Sequence, residues 1–144
     1  MRALAFALTA LLLGGAAQAQ TPVQRGRYLV ETIAGCGNCH TPQGPNGPLP
    51  GRILAGGNVI EDNPAFTAIA SNITQDKATG IGTWTDDQIV LAIREGKRPD
   101  GTLIGPPMPI GLYRGLADDD LAAMVAYLRS VPAVSNASAE SLMK

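Results

Sequence analysis

The sequence has one histidine, two cysteines and one tryptophan in 144 residues. It has no excess of either charge, with 11 lysines and arginines against 12 aspartates and glutamates. Each scarcity excludes something. A structural zinc site takes four Cys or His ligands, and this chain holds three in all. Without a basic excess there is no electrostatic footprint for nucleic acid. After Leu13 no apolar run approaches the roughly 20 residues of a spanning helix, so no transmembrane helix is expected in the mature chain. No stretch alternates strongly enough to predict a sheet, and no internal repeat is visible.

The first residues belong to no domain. "MRALAFALTALLLGGAAQAQ" has a positive start at Arg2, an apolar run from Ala3 to Leu13 and the small-x-small site Ala17-Gln18-Ala19. This pattern predicts a secretory signal peptide over 1–19, cleaved before Gln20, and hence an exported, periplasmic protein. Cleavage leaves 125 residues with a formal net charge of −2. That length suits one domain, expected over 20–134. The small, polar tail at 135–144 is expected to be mobile.

Three segments carry helical periodicity. Gly26, Leu29, Val30 and Ile33 recur at helical spacing; so do Ile89, Ala92, Ile93 and Gly96, and again Leu121, Met124, Val125 and Leu128. Thr85 and Gln88 form a capping box, and Trp84 and Ile89 flank it as a hydrophobic staple. Gly96 is placed to end the second helix, and Pro132 closes the third. Ala117 is a poor cap, offset in part by the acidic first turn Asp118-Asp119-Asp120. "NPAFTAIASNIT" reads either as a short helix or as extended chain. Glycine and proline crowd into Gly35–Gly57 and Gly96–Gly111. The fold class expected is therefore all-α, with long loops and a thin core that an apolar cofactor would fill.

Both cysteines and the only histidine fall within "AGCGNCHTP". Cys36-Gly37-Asn38-Cys39-His40 has the C-x-x-C-H spacing of c-type haem attachment. In a helical turn, thiols three residues apart face one side and can add to two haem vinyl groups, and the next imidazole can take the iron. Three other readings compete. Zinc would need a carboxylate or water besides these ligands. A thioredoxin-like motif would need a βαβ context, which is missing. A small Cys36–Cys39 disulfide beside an incidental histidine is chemically permitted in an exported protein.

An iron held by His40 needs a partner on its other side or keeps an open position. Met124 lies within an apolar helix face and Met143 in the tail, whereas Met108 sits in "GPPMPIG", 68 residues beyond His40. Prolines 106, 107 and 109 stiffen that backbone and lower the entropy lost on ordering it. His/Met ligation raises the reduction potential relative to His/His and closes the iron to other ligands. That combination suits electron transfer.

These motifs resemble c-type cytochromes of the single-domain, N-terminal-haem kind. The stretch "SNITQDKATGIGTWTDDQIVLAIREGKRPDGTLIGPPMPIGLYRGLADDDLAAMVAYLRSVP", Ser71 to Pro132, is similar to haem domains in cytochrome subunits of bacterial alcohol and gluconate dehydrogenases. The resemblance implies one covalent haem c, with thioethers at Cys36 and Cys39 and axial ligands His40 and Met108. It places Gly26 and Tyr127 where the first and last helices cross, and reads "NPAFTAIASNIT" as extended. Asn72 and Trp84, with polar tips in an apolar setting, are candidate contacts to the haem propionates. The expected function is a periplasmic electron carrier, fed by a dehydrogenase and drained by a cytochrome, oxidase or other respiratory component. The alternative is a haem enzyme or gas sensor with an open or displaceable sixth position. Arg94, Lys97 and Arg98 either orient an acidic partner or complement a helix end. The chain departs from those subunits, which commonly carry three haem domains and a C-terminal membrane-binding segment, and it has Ala117 where serine or threonine is usual.

Overall fold

A computed structural model describes residues 19–138 and 141–144; the expected signal peptide falls almost wholly outside them. Helix α1 (Pro22–Arg27) starts where its sequence says it should. Thr21 accepts from the Gln24 backbone N–H, the Gln24 side chain returns the favour, and proline occupies the first turn. The helix then widens into a π-helical stretch over Tyr28–Ile33, closed by Ala34 N–H donating to the Leu29 carbonyl at 2.7 Å. Gly35 takes the left-handed conformation (φ +59°), and the chain re-enters a single turn, α2 (Gly37–His40).

Helix α3 (Asp86–Glu95) has the expected Thr85–Gln88 capping box and ends on left-handed Gly96. The short α4 (Ile110–Tyr113) leads into α5 (Asp118–Ser130), where Ala117 makes no side-chain cap and the three aspartates occupy the first turn. Gly26 is where α1 crosses α5. A Cβ there would lie 1.9 Å from the Ala123 carbonyl oxygen and 2.8 Å from Tyr127 Cβ. The core gathers around that crossing from Leu29, Val30, Leu54, Ile81, Ile89, Ile93, Leu121, Met124, Val125 and Leu128. Met124 is thus a core side chain, as its periodicity predicts.

The all-α expectation holds for this core and fails for the loops. A hairpin pairs β1 (Gln43–Gly44) with β2 (Gly47–Pro48), and an antiparallel sheet runs in the order β3 (Val59–Asp62), β4 (Phe66–Ile69), β5 (Leu142–Met143). "NPAFTAIASNIT" is accordingly extended. These strands have two to four residues, and β3 is exposed at three of its four positions. Such strands bury too little on one face to write an alternating pattern.

The chain beyond α5 makes contacts with the domain. Val134 N–H donates to Thr74 Oγ1, and the Asn136 amide donates to the Ala55 and Gly56 carbonyls. Leu142–Met143 then adds to β4, and Lys144 pairs with Asp62. Of the tail's polar side chains, the Asn136 amide and the Lys144 ammonium donate to loop carbonyls. Among the described residues no helix is long and apolar enough to cross a membrane.

Candidate functional site

The cysteine-histidine turn is built as one helical turn and clamped from outside. Cys36 stands at the start of α2, and both Cys39 N–H (3.3 Å) and His40 N–H (2.9 Å) donate to the Cys36 carbonyl. Cys36 and Cys39 are free thiols, both half-buried, so the pair does not form the small disulfide. Burial pushes the Cys36 thiol up to about 11. Among the described residues no three His, Cys, Asp or Glu side chains are placed to hold one metal ion, which leaves a zinc site without its ligands.

His40 is oriented through its own ring. Its Nδ1 lies 2.7 Å from the Ser71 carbonyl oxygen. A carbonyl only accepts, so Nδ1 carries the hydrogen and Nε2 keeps its lone pair. A fixed tautomer of this kind is what a metal-bound imidazole needs. Desolvation lowers the His40 pKa, with the Ser71 bond opposing it, so the neutral form is favoured.

Gly56 makes this contact possible. Its N–H donates to the His40 carbonyl at 2.6 Å, and it has φ +71°. A Cβ there would lie 2.4 Å from the Asn72 nitrogen and 2.6 Å from the Ser71 oxygen. Only glycine lets the two backbones approach this closely.

Two further residues hold the turn, and neither stood out in the sequence. Asn58 Nδ2 donates to the Cys39 carbonyl at 2.7 Å and the Thr41 carbonyl at 2.6 Å, satisfying the end of α2. Buried Thr41 accepts from Leu54 N–H at 3.0 Å. Ser71 acts through its backbone carbonyl, which leaves no mark on side-chain patterning. A loop asparagine such as Asn58 carries only a general turn signal.

Met108 is half-buried on the strap between α3 and α5. Ile104 N–H donates to the Gly96 carbonyl, and Ile110 N–H donates to the Met108 carbonyl at 2.9 Å. Tyr113, five residues on, donates from its hydroxyl to the Ala34 carbonyl at 3.1 Å. Burial, followed by the charges of Cys36 and Cys39, pushes this phenol up to about 12. The methionine-bearing segment is therefore brought to the cysteine turn through Tyr113.

Asn72 is engaged within the loops. It is buried, and its Nδ2 donates to Thr79 Oγ1 (2.9 Å) and the Val134 carbonyl (2.8 Å), while its oxygen accepts from Thr74 N–H. Both amide hydrogens are engaged here, holding the loop to Thr79 and to the segment after the last helix. Trp84 is half-buried against the core, and its carbonyl accepts from Arg129. Arg94 bonds the Leu116 carbonyl and Asp118, and Arg98 bonds Thr102 Oγ1 and the Leu103 carbonyl. Their guanidinium groups are thus engaged in local structure.

The residues present suit a haem. Two free thiols share one turn with a neutral imidazole whose Nε2 is unprotonated. The flanking segments also leave large apolar side chains uncovered. Ile33 is 60% exposed, Ile53 54%, Leu103 72% and Leu112 79%. Single exposed apolar side chains are ordinary on a folded domain, so the donor set and not this exposure carries the fit.

Comparisons with known proteins show the family. The family model for cytochrome c matches residues 23–132, and the chain belongs to the cytochrome c family, whose members bind haem iron and transfer electrons. It is 40% identical over 106 residues to the fructose dehydrogenase cytochrome subunit of Gluconobacter japonicus, covering 74% of this chain and 20% of that protein. It is 35% identical over 116 residues to the alcohol dehydrogenase (quinone) cytochrome c subunit of Gluconobacter oxydans, covering 78% and 24%. It is 35% identical over 120 residues to the gluconate 2-dehydrogenase cytochrome c subunit of Pantoea cypripedii, covering 83% and 25%. The chain thus spans a fifth to a quarter of the length of these relatives.

Proposed function

We propose that residues 20–134 form a domain that carries one haem c and passes single electrons. The observation that carries this is the His40–Ser71 bond, which leaves Nε2 as a ligand beside two free thiols in one turn. In this reading Cys36 and Cys39 would hold the group through thioethers, and His40 and Met108 would ligate its iron. The group supplies one-electron exchange between ferrous and ferric iron. The chain's own residues do the rest. Asn58 and Thr41 keep the attachment turn in shape, Ser71 fixes the imidazole, and the proline-flanked strap presents Met108.

The kinship with dehydrogenase cytochrome subunits supports a dehydrogenase as electron donor and a respiratory cytochrome or oxidase as acceptor. The leader at 1–19 supports a periplasmic location. Trp84 remains a candidate propionate contact.

The test uses protein made with the c-type maturation machinery. Pyridine haemochrome should give one haem per chain, and the ferric protein should show the weak long-wavelength band of methionine–iron ligation. Met108→Ala should abolish that band and lower the reduction potential. Ready binding of carbon monoxide by the reduced wild-type protein would favour an enzyme or sensor with an open position.

A further inference from the structure

We propose that Tyr113 is a positioning residue: its hydroxyl latches the Met108 segment to the cysteine-bearing turn and so governs how easily Met108 yields to a competing ligand. This rests on Met108 being the iron ligand.

Three observations carry it. The hydroxyl donates to the Ala34 carbonyl across 79 residues of sequence. Among the described residues it is the sole hydrogen bond between 105–116 and 28–42. Both ends of this bond are fixed to what they act on. From Met108 the chain turns tightly, with Ile110 N–H on the Met108 carbonyl and Leu112 and Tyr113 N–H on the Pro109 carbonyl. Ala34 is held by its own N–H on Leu29, and Cys36 N–H follows onto Val30 at 3.0 Å. A shift of Met108 away from the turn therefore strains the Tyr113–Ala34 bond.

The segment has little else on that side. Its other ties, Ile104 to Gly96 and Arg94 to Leu116, run to α3. Leu103 and Leu112 are exposed and provide no anchor. The Tyr113 ring packs against the core, which aims the hydroxyl. With its pKa pushed up to about 12, the phenol stays a donor at any working pH.

The experiment titrates the ferric, haem-loaded protein with imidazole and records the long-wavelength band, for wild type, Tyr113→Phe, Met108→Ala and the double variant. Tyr113→Phe should keep the band yet bind imidazole about five-fold more tightly, the weight of one neutral hydrogen bond. Met108→Ala should lack the band and bind imidazole more tightly still, and adding Tyr113→Phe should then change nothing, because the latch has no ligand left to hold. Wild-type imidazole affinity in Tyr113→Phe, with Met108→Ala behaving as stated, would overturn the latch alone. An equal five-fold gain in both backgrounds would make Tyr113 a general packing residue and would also overturn it. A band that survives Met108→Ala would overturn the ligand assignment and the latch together.

Discussion

The α1–α5 crossing and the Met108 strap both bring distant parts of the chain together, by opposite means. At the crossing, Gly26 lets backbone meet backbone, and Leu29, Val30, Leu121, Val125 and Leu128 are buried around it. Arg25 pairs with Asp120, Tyr127 donates to Glu31, and Arg27 lies over the Tyr127 ring at 5.6 Å. The strap instead keeps Leu103 and Leu112 in solvent and is hydrogen-bonded to the cysteine-bearing segment by one hydroxyl. The crossing is held by burial and is therefore part of the scaffold. The strap is held by local turns, by ties to α3 and by one hydrogen bond to the cysteine-bearing segment, which suits a segment whose remaining partner is a cofactor.

The largest expected effect comes from exchanging the same side chain in the two regions. Leu121→Ala removes a fully buried leucine at the crossing and should cost about 2–5 kcal/mol. Leu112→Ala, on the strap, should change stability by less than about 0.5 kcal/mol. Urea unfolding of the haem-loaded protein reads both. A Leu112→Ala loss as large as that of Leu121→Ala would break the contrast and mean that haem covers this side chain.

Gly26→Ala should come next, at about 1–3 kcal/mol, because the new methyl would meet the Ala123 carbonyl at 1.9 Å and push the helices apart. The same urea titration checks it. The helices' separation should also weaken the Tyr127–Glu31 contact, visible as faster amide exchange along α5.

The scaffold was far more legible than the strap or the loops, for a physical reason. Helices announce themselves through local rules: the Thr85–Gln88 box and Gly96 lie within one helix and act on it alone. The C-x-x-C-H turn is equally local. The ties that position the site are not. Asn72 shows why: a polar tip in apolar surroundings suits a propionate as well as the Val134 carbonyl 62 residues away, and the sequence alone does not show the second partner. Ser71 contributes a backbone oxygen, and the two sheets are made of strands too short to carry a period. Tyr113 sits five residues before the last helix's start and carries no pattern of its own in the sequence.

The tail seam should give the smallest effect and extends the contrast to a third region. Here β5 adds to β4 at an exposed edge, and the Lys144 ammonium bonds Asp62, which also accepts from Thr67. The Lys144 bond, then that of Thr67, holds the Asp62 carboxyl below its ordinary value of 3.8. A folded-state pKa below the unfolded one means the stabilisation is complete above pH 3.8 and fades as the pH falls below it and Asp62 is protonated. The pair is exposed, so its weight is small and the global unfolding midpoint should hardly register it. The readout is local: exchange of the Lys144 amide, which donates to the Ala65 carbonyl, and of the Ile69 amide, which donates to Ser141 Oγ. Corrected for the intrinsic pH dependence of exchange, the protection of both should fall below that pH in wild type, while that of α5 amides does not. In Asp62→Asn they should be fast at neutral pH already. If they exchange no faster there than in wild type, the strand pairing alone holds the tail, and this seam belongs with the scaffold instead.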